Sequence, residues 1–546
     1  MQGKLLSGGL ALTAVLLVGC GNKQSDKATS KNEMNMSVVS DIATMDPSHA
    51  SDTTSMQMLE NTGEGFLQLG ENSKIEKELA TKISVSKDQL TYTFDLRHDA
   101  KWADGKKLTA QDFVYGWQRT IDPKTASEYA YLYSGIKNAD AIMANKKPAS
   151  SLGVKAVGQY QVQVTLEHPI SYFKLLTAMP IFYPQERSAV VKYGKKYGTT
   201  AATSPANGPF KLSGWNGTNS SWKLVKNDRY WDKKHVKLAA VNFQTVKTPA
   251  TGLNLYKSGK LDQTALVGTQ VAANKSNKDY VLDKQASMTY AQFNVAKPST
   301  PLLKKAFNNV NIRKALSLAL DRKQFVKSVL ADGSIAPKGF VTSDLATDPK
   351  TGEDFAKQAY VAAGVGYNKA QAKRLWAKGL KEIGATKLSF ELMSDDDDAT
   401  KSVVEFIQGQ WKSTLGADVT IRTVPKATRI QKSSDGDFDV TLSGWGADFS
   451  DPITFLNLYR TGNAGDAGGY SNPAYDKLID AINNNTGSAE SRWQQMVQAE
   501  KLLMNQQATI PLYQKSVASL RNPKIKGLIV NTAGPLHNYK GVSISK

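Results

Sequence analysis

Residue types that commonly carry covalent or metal chemistry are few in this chain and widely spaced. Its 546 residues include one cysteine and five histidines, and no two histidines have the spacing of metal ligands on one helix face. Ser171 and Lys174 form a Ser-x-x-Lys pair of the acylating type, but the Ser-Asp-Asn element of such sites is absent. We therefore predict no catalytic residues, no metal and no cofactor, and hence a protein that is not an enzyme. The histidines are His49, His98, His168, His235 and His537.

Four consecutive aspartates, Asp395–Asp398, present a choice between a calcium site and a helix start. Apolar residues recur at helical spacing directly after them, through residues 399–415. Acidic side chains at a helix start accept hydrogen bonds from free amides and complement the helix dipole. Capping is therefore the favoured interpretation, and metal binding the alternative.

The single cysteine, Cys20, ends the only long apolar run. Residues 1–19 carry one charge, at Lys4, and the run that begins at Leu10 is about ten residues long, short of the ~20 that a membrane span needs. A basic start, a short apolar stretch and a small residue at the cut site are typical of a secretory signal. The sequence Leu17-Val18-Gly19-Cys20 resembles the lipobox of bacterial lipoproteins, in which the cysteine thiol is diacylated. Two acyl chains are enough for stable membrane anchoring.

These features predict a signal peptide at 1–19 and a lipidated tether at 20–34. The tether is almost wholly polar and buries too little apolar surface to fold. The formal net charge is +20, but lysines stand in ones and twos. Because a nucleic-acid site needs clustered charge, we predict no nucleic-acid partner and attribute the charge to solubility and to attraction by an anionic envelope.

Apolar residues alternate with polar ones in some stretches and follow helical spacing in others. Strict alternation predicts a strand with one buried face, and helical spacing predicts an amphipathic helix. In the first such helix we expect Arg313, Lys314 and Lys327 on the outer side. Mixed elements without a repeated period indicate an α/β body of several lobes. The predicted strands are 90–96, 160–166 and 438–442, and the predicted helices are 311–330 and 488–507.

One segment, from Gly444 to Leu456, reads Gly-Trp-Gly-Ala-Asp-Phe-Ser-Asp-Pro-Ile-Thr-Phe-Leu. It resembles the W-x-A-D-Y-x-[DE]-P segment of the oligopeptide-binding lipoproteins of ATP-binding-cassette peptide importers, in family 5 of the extracellular solute-binding proteins. Four further segments are similar to that family in the same order, so the resemblance covers nearly all of the mature chain. They are 108–130, 207–232, 312–322 and 469–476.

The resemblance implies an α/β, periplasmic-binding-protein-like fold: a two-lobed clam of class II (cluster C) with an additional domain. Lobes joined by crossing strands close around ligand by a hinge. The implied ranges are 35–63, 188–295 and 516–546 for lobe I, 64–187 for the extra domain, and 296–515 for lobe II.

The same resemblance implies a receptor that captures extended oligopeptides between its lobes. The receptor would be a monomer, anchored by lipid on the outer face of a Gram-positive cell membrane. It would deliver the peptides to the permease and ATPase subunits of the importer. Two alternatives on this fold remain open, a receptor for a peptide pheromone and a binder of another solute such as a dipeptide.

For the site, the resemblance implies that Asp448 pairs with the ligand ammonium. An alternative for Asp448 is a turn or cap acid ahead of Pro452, and Trp445 is equally compatible with the core of a lobe. The other implied peptide-binding residues either line the cleft, lie near the ligand amine, or pair with the peptide. They are Gly444, Trp445, Gly446 and Ala447 in the cleft wall, Tyr129 near the amine, and Asn294 beside the peptide strand.

The chain departs from the family where charge is expected. Leu442 and Ser433 stand where well-studied Gram-negative members have arginine, and Ser51 stands where they have glutamate. We therefore expect no fixed cation at the far end of the cleft, unless Lys432 takes that role. Apolar ligand side chains would then meet Leu442, and peptides of five or more residues would bind better than tripeptides.

Overall fold

The computed structural model describes residues 32–71, 74–463, 465–484, 487–534 and 537–545, the side chains of 398, 399 and 427 excepted. Cys20, the predicted signal peptide and most of the predicted tether lie outside these ranges. Within them, no helix is both long enough and apolar enough to cross a membrane.

Most of the strands are short, but two are 14 and 13 residues long and run antiparallel to each other. In chain order the strands are β1 (Glu33–Val38), β2 (Leu67–Leu69), β3 (Ile75–Lys77), β4 (Ala80–Val85), β5 (Thr91–Leu96), β6 (Val154–Gly158), β7 (Gln161–Thr165), β8 (Phe210–Ser213), β9 (Ser221–Lys226), β10 (Ala240–Thr245), β11 (Gln263–Ala265), β12 (Tyr280–Phe293), β13 (Ser389–Asp395), β14 (Asp418–Val424), β15 (Val440–Gly446), β16 (Thr509–Arg521), β17 (Ile525–Lys526), β18 (Ile529–Val530), β19 (His537–Asn538) and β20 (Ser543–Ile544).

Several helices begin at a polar side chain that accepts a hydrogen bond from a first-turn amide. The helices are α1 (Thr53–Thr62), α2 (Ala110–Ile121), α3 (Ala139–Met143), α4 (Phe173–Leu176), α5 (Arg187–Tyr193), α6 (Pro249–Lys257), α7 (Thr269–Asn274), α8 (Pro301–Asn308), α9 (Val310–Leu318), α10 (Arg322–Phe325), α11 (Phe355–Gln358), α12 (Ala362–Val365), α13 (Lys369–Ile383), α14 (Asp398–Leu415), α15 (Lys426–Asp435), α16 (Ile453–Leu456), α17 (Pro473–Asn483) and α18 (Ala489–Gln506).

The aspartate run is used for capping, as predicted. The Asp397 side chain accepts a hydrogen bond of 3.0 Å from the amide of Thr400 at the start of α14. Asp395 instead forms an ion pair with Arg429. In the described part of the chain, no group of three or more His, Cys, Asp or Glu residues could hold a metal ion.

A four-stranded sheet has the order β1-β10-β9-β8, with β1 parallel to β10 and the other neighbours antiparallel. Its apolar side packs into a core that includes Met34, Trp222 and Phe243, and Tyr539 near the end of the chain joins the same core. β1 begins at Glu33, two residues inside the range predicted for the tether.

A second four-stranded sheet, β4-β5-β7-β6, is antiparallel throughout. Buried residues alternate with half-buried ones along β5 and β7, which confirms the two strands predicted at 90–96 and 160–166. Phe94 on β5 stacks on Phe66, and Phe66 stacks on Phe113 of α2. This aromatic layer fixes α2 against the sheet.

A six-stranded sheet, β11-β16-β12-β15-β13-β14, carries the site described below. β12 and β16 pair along most of their length, with a register shift between Lys284 and Met288. β11 pairs with the last residues of β16, and β15 pairs with the last residues of β12 on the opposite side of the pair. A register shift in an antiparallel pair bends the strands and increases their twist. The two long strands are therefore bent midway along the sheet.

The helix predicted at 311–330 is wrong as a single element, although the predicted helix at 488–507 is confirmed as α18. α9 ends at Leu318, Asp321 caps α10, and a π-helical turn follows at Val326–Leu330. Arg313 is 5% exposed rather than outside, because its guanidinium donates to three carbonyl oxygens. The helical spacing of apolar residues gave no sign of this buried guanidinium, because arginine is usually found on the surface.

The strands of the two four-stranded sheets come from the ranges predicted for lobe I and for the extra domain, respectively. In the six-stranded sheet, β16 crosses the predicted boundary at 515/516, and β11 and β12 come from the lobe I range. The domain boundaries themselves remain a prediction.

Candidate functional site

One backbone edge of β15 is open over five residues. On one side β12 pairs with the whole strand, from Val440 to Gly446. On the other side β13 pairs only with Val440 and Thr441. Among the described strands, none covers this side from Leu442 to Gly446, so the amides and carbonyls there are free to pair with an added strand.

The glycines of this open edge face open space. A Cβ built at Gly444 would lie 3.8 Å from the nearest atom, the Met288 carbonyl oxygen, and a Cβ at Gly446 would have no atom within 4 Å. Both glycines are exposed, whereas the following Ala447 is buried and its amide donates to the Ala286 carbonyl, 2.7 Å away. The chain is thus anchored just beyond the open edge.

Asp448 follows directly and is half-buried. Burial raises the pKa of its carboxyl group to about 6, although a hydrogen bond from Tyr131 acts in the opposite direction. Within the described ranges, no lysine, arginine or histidine forms a salt bridge with Asp448. A carboxylate that is desolvated but has no cation nearby is available for a cation from outside.

Tyrosines from residues 129–131 face Asp448. Burial and then the charge of Asp448 raise the pKa of Tyr129, and Glu128 and Asp52 contribute to the same shift. The rings of Tyr129 and Tyr131 meet edge to face, with centroids 5.9 Å apart. The structure therefore brings Tyr129 and Asp448 together, as the resemblance implies. Tyr131, which hydrogen-bonds to Asp448, was missed, although it stands two residues along the same segment.

The residue after Asp448 also contacts an aromatic ring from the first part of the chain. The ring of Tyr172, which precedes α4, stacks on Phe449 with centroids 4.8 Å apart and an interplanar angle of 9°. Asp451, two residues further, forms a buried bidentate ion pair with Arg492, at 2.7 and 3.0 Å. These contacts fix the turn that carries Asp448.

Asn294 does not reach the open edge, so its predicted contact with a peptide strand is corrected. It is 1% exposed, and its side-chain amide donates to the carbonyl oxygens of Lys297, Gly436 and Phe438, at 3.0, 3.0 and 2.8 Å. It stands at the Val440 end of β15, because Phe293 is the residue paired with Val440. Asn294 is thus a positioning residue for the start of this strand.

Trp445 and Leu442 belong to the core and also line a cavity. Leu442 is buried, and Trp445 is half-buried against the same apolar core. The cavity has a volume of about 240 Å³, below the ~300–1,000 Å³ of drug-sized sites, so it fits a single side chain or chain end. The Trp445 Nε1 atom is buried and has no hydrogen-bond partner among the described residues.

The expectation that this end of the cleft lacks a cation is wrong. Lys426, Arg429 and Lys515 line the same cavity as Leu442 and Trp445. Lys426 and Arg429 come from α15, and Lys515 comes from β16. They lie outside the segments that resemble the family, so the resemblance did not predict them. Lys432, considered as a substitute, forms an ion pair with Asp437 at 2.6 Å, and Ser433 is buried.

Comparison with known proteins places this site in a family. The family described as "Bacterial extracellular solute-binding proteins, family 5 Middle" matches residues 74–467. A protein named "Dipeptide-binding protein" from Lactococcus lactis subsp. cremoris (strain MG1363) is 38% identical over 549 residues, which cover 99% of this chain and 98% of that protein.

Solved structures agree in fold. One is described as "Listeria monocytogenes OppA bound to peptide", with a TM-score of 0.76, 38% identity, and coverage of 95% of this chain and 100% of that one. Another is described as "Structure and mode of peptide binding of pheromone receptor PrgZ", with a TM-score of 0.77, 36% identity, and coverage of 94% and 100%.

The predicted fold class is confirmed: an α/β, two-lobed fold of the periplasmic-binding-protein type. Proteins of this family are transport receptors rather than enzymes, in agreement with the prediction from the sequence. The family match extends over more than half of the chain and includes both Tyr129 and Asp448. This chain therefore belongs to family 5 of the bacterial extracellular solute-binding proteins.

Proposed function

We propose that this protein is a receptor that binds an extended peptide along the open edge of β15, with the peptide's ammonium group on Asp448. One observation carries the proposal: a strand edge that is unpaired over Leu442–Gly446 leads directly to a half-buried carboxylate that forms no salt bridge within the described ranges. Every peptide has a backbone, and most have a free amine. A site built from these two features binds peptides of many sequences.

Strand addition explains how such a site binds without reading sequence. Backbone amides and carbonyls of the ligand pair with those of Leu442–Gly446, and alternate ligand side chains point away from the edge. The glycines at 444 and 446 leave room beside the edge for a ligand backbone. The similarity to a peptide-bound structure from Listeria monocytogenes supports this arrangement.

The ligand ammonium supplies the charge that Asp448 lacks. A charge-assisted hydrogen bond is about twice as strong as a neutral one. Leaving one partner of a buried ion pair without the other costs roughly 3–5 kcal/mol. Asp52 and Glu128 add negative charge around Tyr129, which favours a cation at this end of the cleft.

Calorimetric titration of the purified protein with matched peptides tests this assignment. A tetrapeptide with a free amine should bind at least about a hundredfold more tightly than its N-acetyl form, from the penalty for an unpaired buried charge. Asp448→Asn should remove most of that difference, whereas Asp228→Asn, a change at an exposed aspartate outside the cleft, should retain it. Equal binding of free and acetylated peptides to the unmodified protein would disprove the role of Asp448.

Delivery to a membrane importer completes the proposal. The receptor is held on the outer face of a Gram-positive cell membrane by a diacylated Cys20. It acts as a monomer and hands peptides to the permease and ATPase subunits of an ATP-binding-cassette importer. The family match and the lipobox-like sequence support this location.

Similar proteins support two other ligand classes, peptide pheromones and dipeptides. A pheromone receptor and a dipeptide-binding protein are both similar to this chain over nearly its whole length. Mass spectrometry of peptides that co-purify with the protein separates these classes. Mixed peptides of varied sequence indicate nutrient uptake, a single sequence indicates a pheromone, and dipeptides alone indicate the third class.

A further inference from the structure

Another cavity, which we call the interface cavity, lies between two regions of the chain. One wall comes from residues 85–92 and 171–174, within the range predicted for the extra domain. The other comes from residues 346–349, 450–452 and 487–496, within the range predicted for lobe II. The volume is about 570 Å³, inside the ~300–1,000 Å³ of small-molecule sites. The interface cavity is therefore large enough for a small organic molecule.

An apolar and aromatic wall lines the interface cavity and is fixed in place. It includes Trp493 and Met496 of α18 and Tyr92 of β5, which are all buried residues. The Trp493 Nε1 atom donates to the Gln358 side chain at 2.8 Å, and the Trp493 ring packs edge to face on Phe355. Rigid apolar and aromatic surfaces of this kind bind the apolar body of a ligand.

One of the charged residues that line this cavity has no ionic partner in the described part of the chain. Asp451 and Arg492 neutralise each other in their bidentate ion pair. Lys174 is exposed and forms no ion pair with any described residue. The other described lining residues are uncharged. The interface cavity therefore favours a ligand that carries one anionic group.

The interface cavity adjoins the aromatic stack beside Asp448. Of its lining residues, Ser171 precedes Tyr172 and Ser450 follows Phe449, so the two stacked rings stand at its edge. An occupant that touches both walls makes its full set of contacts only while the two regions are together. The same arrangement brings the tyrosines of residues 129–131 to Asp448.

We propose that the interface cavity is a second ligand site, which binds a small molecule with one anionic group and an apolar body. Lys174 pairs with the anionic group, and the wall that contains Trp493 and Met496 contacts the body. Because the occupant joins the two regions that meet beside Asp448, it strengthens peptide binding, and the peptide strengthens binding of the occupant by the same factor. The site itself stands on the cavity, whereas its effect on peptides rests on the proposed function.

Calorimetry of the full-length protein with 3-phenylpropionate and with its neutral amide tests the site. The acid should bind at least about tenfold more tightly than the amide, because only the acid pairs with Lys174. Lys174→Ala should bring this ratio close to one, and Lys174→Arg, which keeps the charge, should retain most of it. Lys233→Ala, at an exposed lysine outside the cavity, should leave the ratio unchanged. These changes remove no hydrogen bond or ion pair of a described side chain, so all three variants should fold.

Titration with tetra-alanine, in the presence and absence of saturating 3-phenylpropionate, tests the effect on peptide binding. The peptide affinity of the unmodified protein should rise at least about threefold, and that of Lys174→Ala should stay the same. An unchanged affinity of the unmodified protein would overturn the coupling. A reduced affinity would show that the acid competes at the open edge of β15, and it would overturn the second site.

The outcomes separate this inference from the proposed function. Equal binding of acid and amide, or a preference that Lys174→Ala leaves intact, overturns the site in the interface cavity and leaves the role of Asp448 unaffected. If tetra-alanine does not bind at all, the proposed function fails, and the effect on peptides fails with it. A preference for the acid that depends on Lys174 would support the site even then.

Discussion

The Asp448 carboxyl group is held in surroundings that favour its neutral form. Its pKa rises from 3.8 to about 6 because it is buried. Below about pH 3 the carboxyl group is protonated in both the folded and the unfolded state. As the pH rises from about 3 to 6, the unfolded state loses its proton first, so the free energy of unfolding decreases. Above pH 6 the folded protein bears the full cost of a charged Asp448.

Replacement of this residue therefore separates a binding role from a capping role. Asp448→Asn should raise the free energy of unfolding of the ligand-free protein at pH 7 by about 2 kcal/mol, from roughly 1.4 kcal/mol per pKa unit reduced for partial exposure. Urea unfolding at pH 7 and at about pH 3 measures this change, and the gain should vanish at about pH 3, where both states are protonated. If Asp448 were a capping acid, its replacement would instead lower the free energy of unfolding by about 1 kcal/mol. That loss at pH 7 would contradict the binding role.

The resemblance to the family identified site residues within the matching segments, but it did not identify site residues that lie outside those segments. Asp448 and Tyr129 were predicted and do face each other. Arg429 and Lys515 were missed because they lie on α15 and β16, outside the matched motif, and reach the cavity only through the sheet order. A substituted charge at a new position leaves no local signal in the sequence.

At the level of elements, the alternation of apolar and polar residues predicted strands that have one buried face. Strict alternation identified β5 and β7, whose pairing neighbours lie within the same domain-sized segment. The pairing of β12 with β16 joins residues more than 200 positions apart, and no pattern in either strand specifies the other. The break between α9 and α10 was also missed, and in each of these two helices a buried arginine donates to a main-chain carbonyl that is distant in sequence.

Arg322 is the clearest case. Its side chain is 3% exposed and donates to the carbonyl oxygens of Pro511, Ser317 and Val365, at 2.6, 3.0 and 3.2 Å, so it joins α9 and α10 to β16. Arg322→Met should lower the free energy of unfolding by about 3 kcal/mol, because several buried acceptors lose their donor. The adjacent exposed Lys323→Met should change it by less than about 0.5 kcal/mol. Similar urea midpoints for the two variants would show that Arg322 is dispensable.

At the scale of the whole molecule, the predicted attachment at Cys20 lies outside the described residues. The described residues begin at 32, and Cys20 precedes them by a dozen positions of polar sequence. Folding and ligand binding should therefore not depend on the lipid. This follows because the core of the first sheet is built from residues after Glu33.

Cys20→Ala should release the protein from the membrane without changing its peptide affinity. Two acyl chains hold a protein on a bilayer stably, so loss of the acylated cysteine should remove the attachment. Fractionation of cells followed by immunoblotting measures the release, with Lys27→Ala in the same tether as the attached control. Persistent attachment of the cysteine variant would rule out the lipid anchor.

The open edge of β15 has a further consequence for solubility. An unpaired strand edge is a template on which other chains add strands and aggregate, and many proteins protect such edges with charge, proline or bulges. Here the edge leads to Asp448, with Tyr129 and Tyr131 around it and the Tyr172–Phe449 stack beside it. We expect these side chains to admit a short, unfolded peptide and to hinder the approach of a strand from a folded neighbour. An aggregation-prone surface would then be accessible mainly to chains small enough to be cargo.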